Sequence, residues 1–189
     1  MNVGLPRTGT TSFCRATELL KFRSLHIWHQ AEKDSEFLAR FMENDPKCRR
    51  LLSRFHTLSD TPFYALRDTF EQYYPETLIL YTTRPKNDWI RSMIKHQMAG
   101  GEFLANLYGI QRYPYTEADS CELERVYDEH HAKVCKGLPS IDISVDDDSA
   151  KWELLCSALP RPTQCLKRSK GIPWPHENGS PLECNGTEA

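Results

Sequence analysis

No apolar run in this chain approaches the roughly 18 residues that a membrane-crossing helix needs, so no membrane span is expected. There is no surplus of one charge either: 24 basic residues meet 26 acidic ones, for a net charge of −2. Proteins that hold nucleic acid or an anionic membrane through their overall field carry a strong basic excess, so neither partner is expected. No signal-peptide-like segment precedes the first motif, and none of the seven cysteines forms a C-x-x-C pair. Cys14, Cys48, Cys121, Cys135, Cys156, Cys165 and Cys184 are scattered and odd in number, which reads as reduced thiols in a cytoplasmic protein. His and Cys do not cluster at metal-site spacing, and no metal is expected. The sequons at Asn178 and Asn185 read as chance matches, and no internal repeat is apparent. With 189 residues, 39% of them apolar, the chain can build one compact domain around its own core.

What is there alternates between strand and helix signals. Val3 to Leu5 give only the tail of a first strand, which reads as shortened. Residues 10–22 follow with Phe13, Ala16, Leu19 and Leu20 at helical spacing. Residues 24–29 (SLHIWH) read as a short strand, and 34–55 as one or two helices broken near Asp45-Pro46. Residues 61–75 read as a helix closed by Pro75. The clearest strand is 77–84 (TLILYTTR), a β-rich run suited to burial on both faces. Residues 87–99 are helical, 100–116 show no clear period, 118–138 are helical, 140–145 alternate as a strand, and 148–159 are helical. From about Pro160 the chain turns rich in proline, glycine and charge. Such alternation implies an α/β fold with a parallel sheet.

Two stretches carry chemistry. The first, GLPRTGTTS at residues 4–12, has two glycines five positions apart at a strand-to-helix turn. Glycines there let backbone N–H groups turn inward, and the helix N-terminus favours an anion. Thr8, Thr10 and Thr11 add hydroxyls, and Arg7 adds a planar fork of charged donors. A nucleotide hydrolase or kinase would place a lysine directly after the second glycine; here Thr10 stands there. The second stretch is YTTRPKNDWIRSM at residues 81–93. Arg84 ends a strand, where a parallel sheet presents its ligand crevice, and Ser92 follows eight positions on in the next helix. Arg91 and Lys95 raise the local potential.

Together these stretches resemble the two donor-binding motifs of sulfotransferases that use 3′-phosphoadenosine 5′-phosphosulfate (PAPS). WELLCSAL and GIPWPHENG, later in the chain, are similar to closing segments of one group of that family. The resemblance implies a three-layer fold, a P-loop-type parallel sheet flanked by helices on both faces, within a single domain spanning 1–189 whose last residues, 180–189, form a disordered tail. It implies that Pro6, Arg7, Thr8, Gly9, Thr10 and Thr11 hold the 5′-phosphosulfate, and that Arg84 and Ser92 hold the 3′-phosphate. It implies in-line sulfuryl transfer, without metal, to a hydroxyl or amine of a small-molecule acceptor, with Arg7 steadying the leaving phosphate. Many relatives take a histidine from a His-x-Pro element as base; here SDTP puts Asp60 in its place. Partial burial would strengthen Asp60 as a base, and the alternative is a helix N-cap. His26, His29, His56 and His96 are rival bases, whereas His130-His131 reads as a solvated helix face.

The match has departures. Ser12 and Phe13 stand where an adenine-stacking tryptophan is usual, and Lys167, Arg168 and Lys170 only loosely echo a late basic element that contacts the 3′-phosphate. The aromatic stretches 62–75 and 102–119 suggest a partly apolar acceptor pocket. Two other readings stay open: a phosphate-loop kinase or hydrolase, and a non-catalytic nucleotide-binding protein.

Overall fold

The computed structural model describes residues 1–26, 45–96 and 101–176, apart from the side chain of Leu51. His29, both sequons and the 180–189 tail lie outside the described residues. The helices are α1 (Thr10–Leu19), α2 (Pro46–Leu52), α3 (Arg67–Tyr73), α4 (Lys86–His96), α5 (Gly101–Tyr108), α6 (Ser120–Lys133), α7 (Asp148–Ser157) and α8 (Pro162–Ser169). The strands are β1 (Ser24–Leu25), β2 (Thr57–Leu58), β3 (Tyr81–Thr83) and β4 (Ser140–Asp142). The fold is a mixture of helices and short parallel strands.

β1 pairs in parallel with β2, Ser24 opposite Thr57, and β3 in parallel with β4, Thr82 opposite Ile141. Residues 1–3 join the two pairs. The Asn2 N–H donates to the Leu58 carbonyl at 2.8 Å, and the Val3 N–H to the Leu80 carbonyl at 2.9 Å. The Leu80 N–H returns a bond to the Met1 carbonyl at 3.0 Å. The order across the chain of bonds is therefore β1, β2, residues 1–3, β3, β4. Residues 1–3, a single bridge rather than a full strand, sit in the middle and are bonded on both sides.

Apolar side chains fill in around this array. Val3, Leu58, Phe63, Leu66 and Phe70 form one cluster. Leu5, Tyr64, Trp89, Met93, Leu104, Leu123 and Val126 form a second. Phe13, Leu80, Ile141, Trp152, Leu155 and Trp174 form a third. Helix α1 packs on β1 and β2, α4 on α6, and α7 on both β4 and α8.

Several expectations need correction. The helix expected over 61–75 is split: a 3₁₀ turn at Phe63–Ala65 comes first, and α3 begins only at Arg67. Helices α5 and α8 and strand β2 were not legible. In α5 the Gly100-Gly101 pair and the aromatic residues mask a helix whose buried positions are Gly101, Leu104 and Ala105. α8 begins on Pro162, a favourable first position, but it is only eight residues long and buries only Cys165 and Ser169, within a stretch rich in proline and charge.

The cysteine expectation fails at one pair. Cys156 in α7 and Cys165 in α8 are joined in a disulfide, with Cα atoms 5.4 Å apart. Packing of the two helices makes that meeting, which scattered spacing in sequence does not reveal, so the thiols by themselves do not argue for a reducing compartment. His130 is likewise not on a solvated face. It is fully buried, with its Nε2 2.8 Å from the Val3 carbonyl and its Nδ1 2.7 Å from the Tyr108 hydroxyl. That pairing makes Nε2–H the donor and Nδ1 the acceptor. His131 is half-buried and stacks on Tyr127 at 4.0 Å.

Candidate functional site

The loop after Val3 is set from beneath by Asn2. The Asn2 carboxamide oxygen accepts from the N–H groups of Gly4 (2.9 Å) and Thr82 (3.0 Å), and its amide donates to the Thr82 hydroxyl. Gly4 is needed here because a Cβ would stand 2.4 Å from the Thr82 carbonyl oxygen. Gly9 is needed twice over. Its φ is 91°, and a Cβ would meet Ile143 at 2.5 Å. It is the residue before α1, so the helix opens directly out of the loop. Trp89, buried in α4, donates its indole N–H to the Pro6 carbonyl at 2.8 Å and fixes the loop's other shoulder.

Within this frame the threonines divide. The Thr8 hydroxyl turns inward, bonded to the Leu5 carbonyl at 2.6 Å and 3.1 Å from the Thr82 hydroxyl. Its side chain is fully buried and serves the loop itself. The Thr10 hydroxyl donates to Asp60 Oδ2 at 2.5 Å. The Thr11 hydroxyl lies 3.2 Å from His26 Nε2.

Asp60 lies just past β2 with a φ of 68°, a left-handed conformation that Asp tolerates better than most residues. Its Oδ1 accepts from the Thr61 N–H at 2.8 Å, and its Oδ2 is 3.4 Å from His26 Nε2. His26 Nε2 is also 3.1 Å from the Thr10 hydroxyl. The helix-cap alternative does not hold: Pro62 precedes the 3₁₀ turn, which has no side-chain cap, and the Asp60 carboxylate turns instead to Thr61, Thr10 and His26. Nor does burial make Asp60 a stronger base. Burial pushes its pKa up, but the bonds from His26, Thr10 and Thr61 outweigh it and hold the carboxyl below its ordinary value.

Arg7, also at positive φ (68°), donates its Nε–H to Ser92 Oγ at 3.0 Å. Residues 85 positions apart in the two motifs thus touch. Burial, then the charge of Arg84, lowers the Arg7 pKa, while Asp60 raises it. Burial lowers the Arg84 pKa too, against Asp88 and Asp142. Both guanidiniums stay charged. Two half-buried like charges held near each other are unfavourable, and an anion between them would relieve the repulsion.

Of the residues singled out from sequence, the structure gathers Arg7, Thr10, Asp60 and Ser92 directly, with Arg84 close enough to act on Arg7. Thr8 faces inward, and Pro6 contributes a carbonyl already bonded to Trp89. Phe13 belongs to the core, and Arg168 reaches the Leu20 carbonyl at the far end of α1. The aromatics of 62–75 serve mainly the core: Phe63, Tyr64 and Phe70 are buried. Tyr64, whose own ionisation is opposed first by burial and then by the Asp60 charge, packs edge-on against Phe103 at 5.9 Å. Sequence reasoning missed Asn2 and Trp89; a buried Asn in an otherwise apolar strand was the available signal. Among the described residues, no group of three or more His, Cys, Asp or Glu side chains gathers in a way that could hold a metal ion, and no helix is long and apolar enough to cross a membrane.

A family model described as a sulfotransferase domain matches residues 1–112, more than half of the chain and all of the gathered site. The protein belongs to that sulfotransferase family. No curated protein matches the chain.

Proposed function

We propose that the protein transfers a sulfuryl group from PAPS to a hydroxyl or amine of a small-molecule acceptor. The observation that carries this reading is the meeting of Arg7 with Ser92, beside Arg84. It suits a donor with anionic groups at both ends, whose 3′-phosphate lies on Arg84 and Ser92 and whose 5′-phosphosulfate lies on Arg7 and the start of α1. In this reading the strands are the middle layer of a three-layer, P-loop-type sandwich. The donor supplies an activated sulfuryl group on a good leaving group; no metal is required.

The chain's own residues then have distinct tasks. Backbone N–H groups at the opening of α1 and the Arg7 guanidinium neutralise charge that grows on the leaving phosphate. The Thr10 hydroxyl, donated to Asp60, fixes that carboxylate relative to the loop. Asp60 receives the acceptor's proton. Its lowered pKa suits a loose transfer, by analogy with phosphoryl transfer, because the acceptor O–H or N–H turns acidic only as its bond to sulfur forms. His26, against Asp60, keeps the carboxylate ionised and oriented.

Transfer of labelled sulfate from PAPS to a panel of phenols, alcohols and amines tests the reading. Labelled product is expected with at least one acceptor. Stabilisation by Mg-ATP but not by adenosine 3′,5′-bisphosphate would overturn it in favour of a kinase or hydrolase.

A further inference from the structure

We propose that His96 is a further contact to the donor's 3′-phosphate and takes up a proton as that phosphate binds. The inference rests on the donor reading above and adds to it a residue and a pH dependence. His96 ends α4 and stands four positions after Ser92, one turn along the same face. Side chains so spaced have Cβ atoms roughly 5–6 Å apart, so an anion on Ser92 Oγ is within reach of the imidazole. Ser92 is itself held by Arg7. The groups that act on His96 are Arg7 from the loop, Arg84 from the end of β3, and Lys95 from its own helix, and all are cations.

That company has a consequence. The last turn of a helix favours a positive charge, which by itself would help His96 to hold a proton. His96 is solvent-exposed at the helix end, yet its pKa is lowered, by partial desolvation first and then by the charges of Arg7, Lys95 and Arg84. His96 is thus neutral near pH 7 while no anion is present. A phosphate dianion on Arg84 and Ser92 reverses the local field, and the protonated imidazolium then donates to a phosphate oxygen. Binding and protonation become linked: each strengthens the other, and affinity rises as pH falls. The phosphate's own second ionisation, near pH 6 (roughly), opposes this in more acidic solution, so the effect is read above it.

The test is calorimetric titration of adenosine 3′,5′-bisphosphate into the wild-type protein, His96→Gln and His96→Lys. Titrations at pH 6.5 in two buffers of different ionisation enthalpy count the protons taken up, and affinities are followed to pH 8.5. Wild type should take up a substantial fraction of a proton more than His96→Gln, and its affinity should fall by roughly three- to tenfold over that range. His96→Gln should bind more weakly at pH 6.5 with little dependence on pH. His96→Lys, permanently charged, should bind tightly throughout without the extra uptake. Adenosine 5′-monophosphate, which lacks the 3′-phosphate, should show no difference between wild type and His96→Gln. The inference is overturned if His96→Gln keeps the wild-type proton count and slope, or if the monophosphate shows the same histidine-dependent uptake. Tight bisphosphate binding with an unchanged His96→Gln profile removes His96 alone; no heat from any of the three proteins removes the donor reading with it.

Discussion

Asp60 shows how a single side chain can be read from its bonds. It sits at positive φ, bonded to Thr10 and Thr61 and against His26. Asparagine accepts that backbone conformation as readily and keeps the shape, so Asp60→Asn removes the charge without forcing the loop. Turnover should fall by ~10²–10⁴ while affinity for adenosine 3′,5′-bisphosphate stays close to wild type. Near-normal turnover would take Asp60 out of the acceptor's proton path. Because its carboxyl is held below the ordinary range, its contribution to stability is present above the unfolded value, about 3.9, and is lost only as pH falls through the lower folded value. Gly9 gives a second prediction at this scale. Gly9→Ala must place a methyl group into Ile143 at a φ that disfavours any side chain, so a loss of roughly 1–3 kcal/mol is expected in urea unfolding, together with weaker nucleotide binding. A variant as stable as wild type would mean that the loop can re-form without this glycine.

At the scale of elements, α6 is tied to the centre of the sheet by His130. The ring bridges the Val3 carbonyl and the Tyr108 hydroxyl of α5, and burial lowers its pKa from 6.5 to about 4. The unfolded chain therefore takes up a proton at higher pH than the folded one does. Stability from this group is complete above about pH 6.5, declines as pH falls, and is gone below about 4, a span worth about 3 kcal/mol. His130→Gln can still donate to Val3 but cannot titrate. Denaturation at pH 7 and pH 4.5 should show the stability gap between wild type and variant shrinking in acid; a constant gap would contradict the assignment. The same helix marks a limit of sequence reading. His130-His131 looks like a polar pair on an exposed face because nothing nearby in sequence announces that Val3 will offer a carbonyl from 127 positions away. By contrast α1 and α4 were legible, since their apolar positions repeat at helical spacing. The strands were legible only in outline: the TLILYTTR run is strand over Tyr81–Thr83, with Leu80 bridged to Asn2. Its β propensity extends further than the pairing available to it.

At the scale of the molecule, the closing helices are fastened by Cys156–Cys165, which spans 9 positions. A cross-link of that loop length is worth about 2–3 kcal/mol on the chain-entropy estimate. Reduction should lower the melting temperature by roughly 5–10 °C in a protein of this size. No shift on reduction would show that α7–α8 packing alone holds this end. The donor motifs were legible because they are local: glycines, threonines and an arginine at fixed spacing. Their meeting was expected from the resemblance, which puts both on one donor; what makes it, Asn2 and Trp89 drawing the loop against β3 and α4, was not legible. The donor reading depends on that meeting, and Arg84 tests it most directly. Calorimetric titration of wild type and Arg84→Ala should compare adenosine 3′,5′-bisphosphate with adenosine 5′-monophosphate. Wild type should prefer the bisphosphate by roughly 100-fold, as expected for a charge-assisted contact to one extra phosphate, and Arg84→Ala should lose most of that preference while binding the monophosphate about as before. An Arg84→Ala protein that discriminates as well as wild type, or a wild-type protein that binds neither nucleotide, would contradict it.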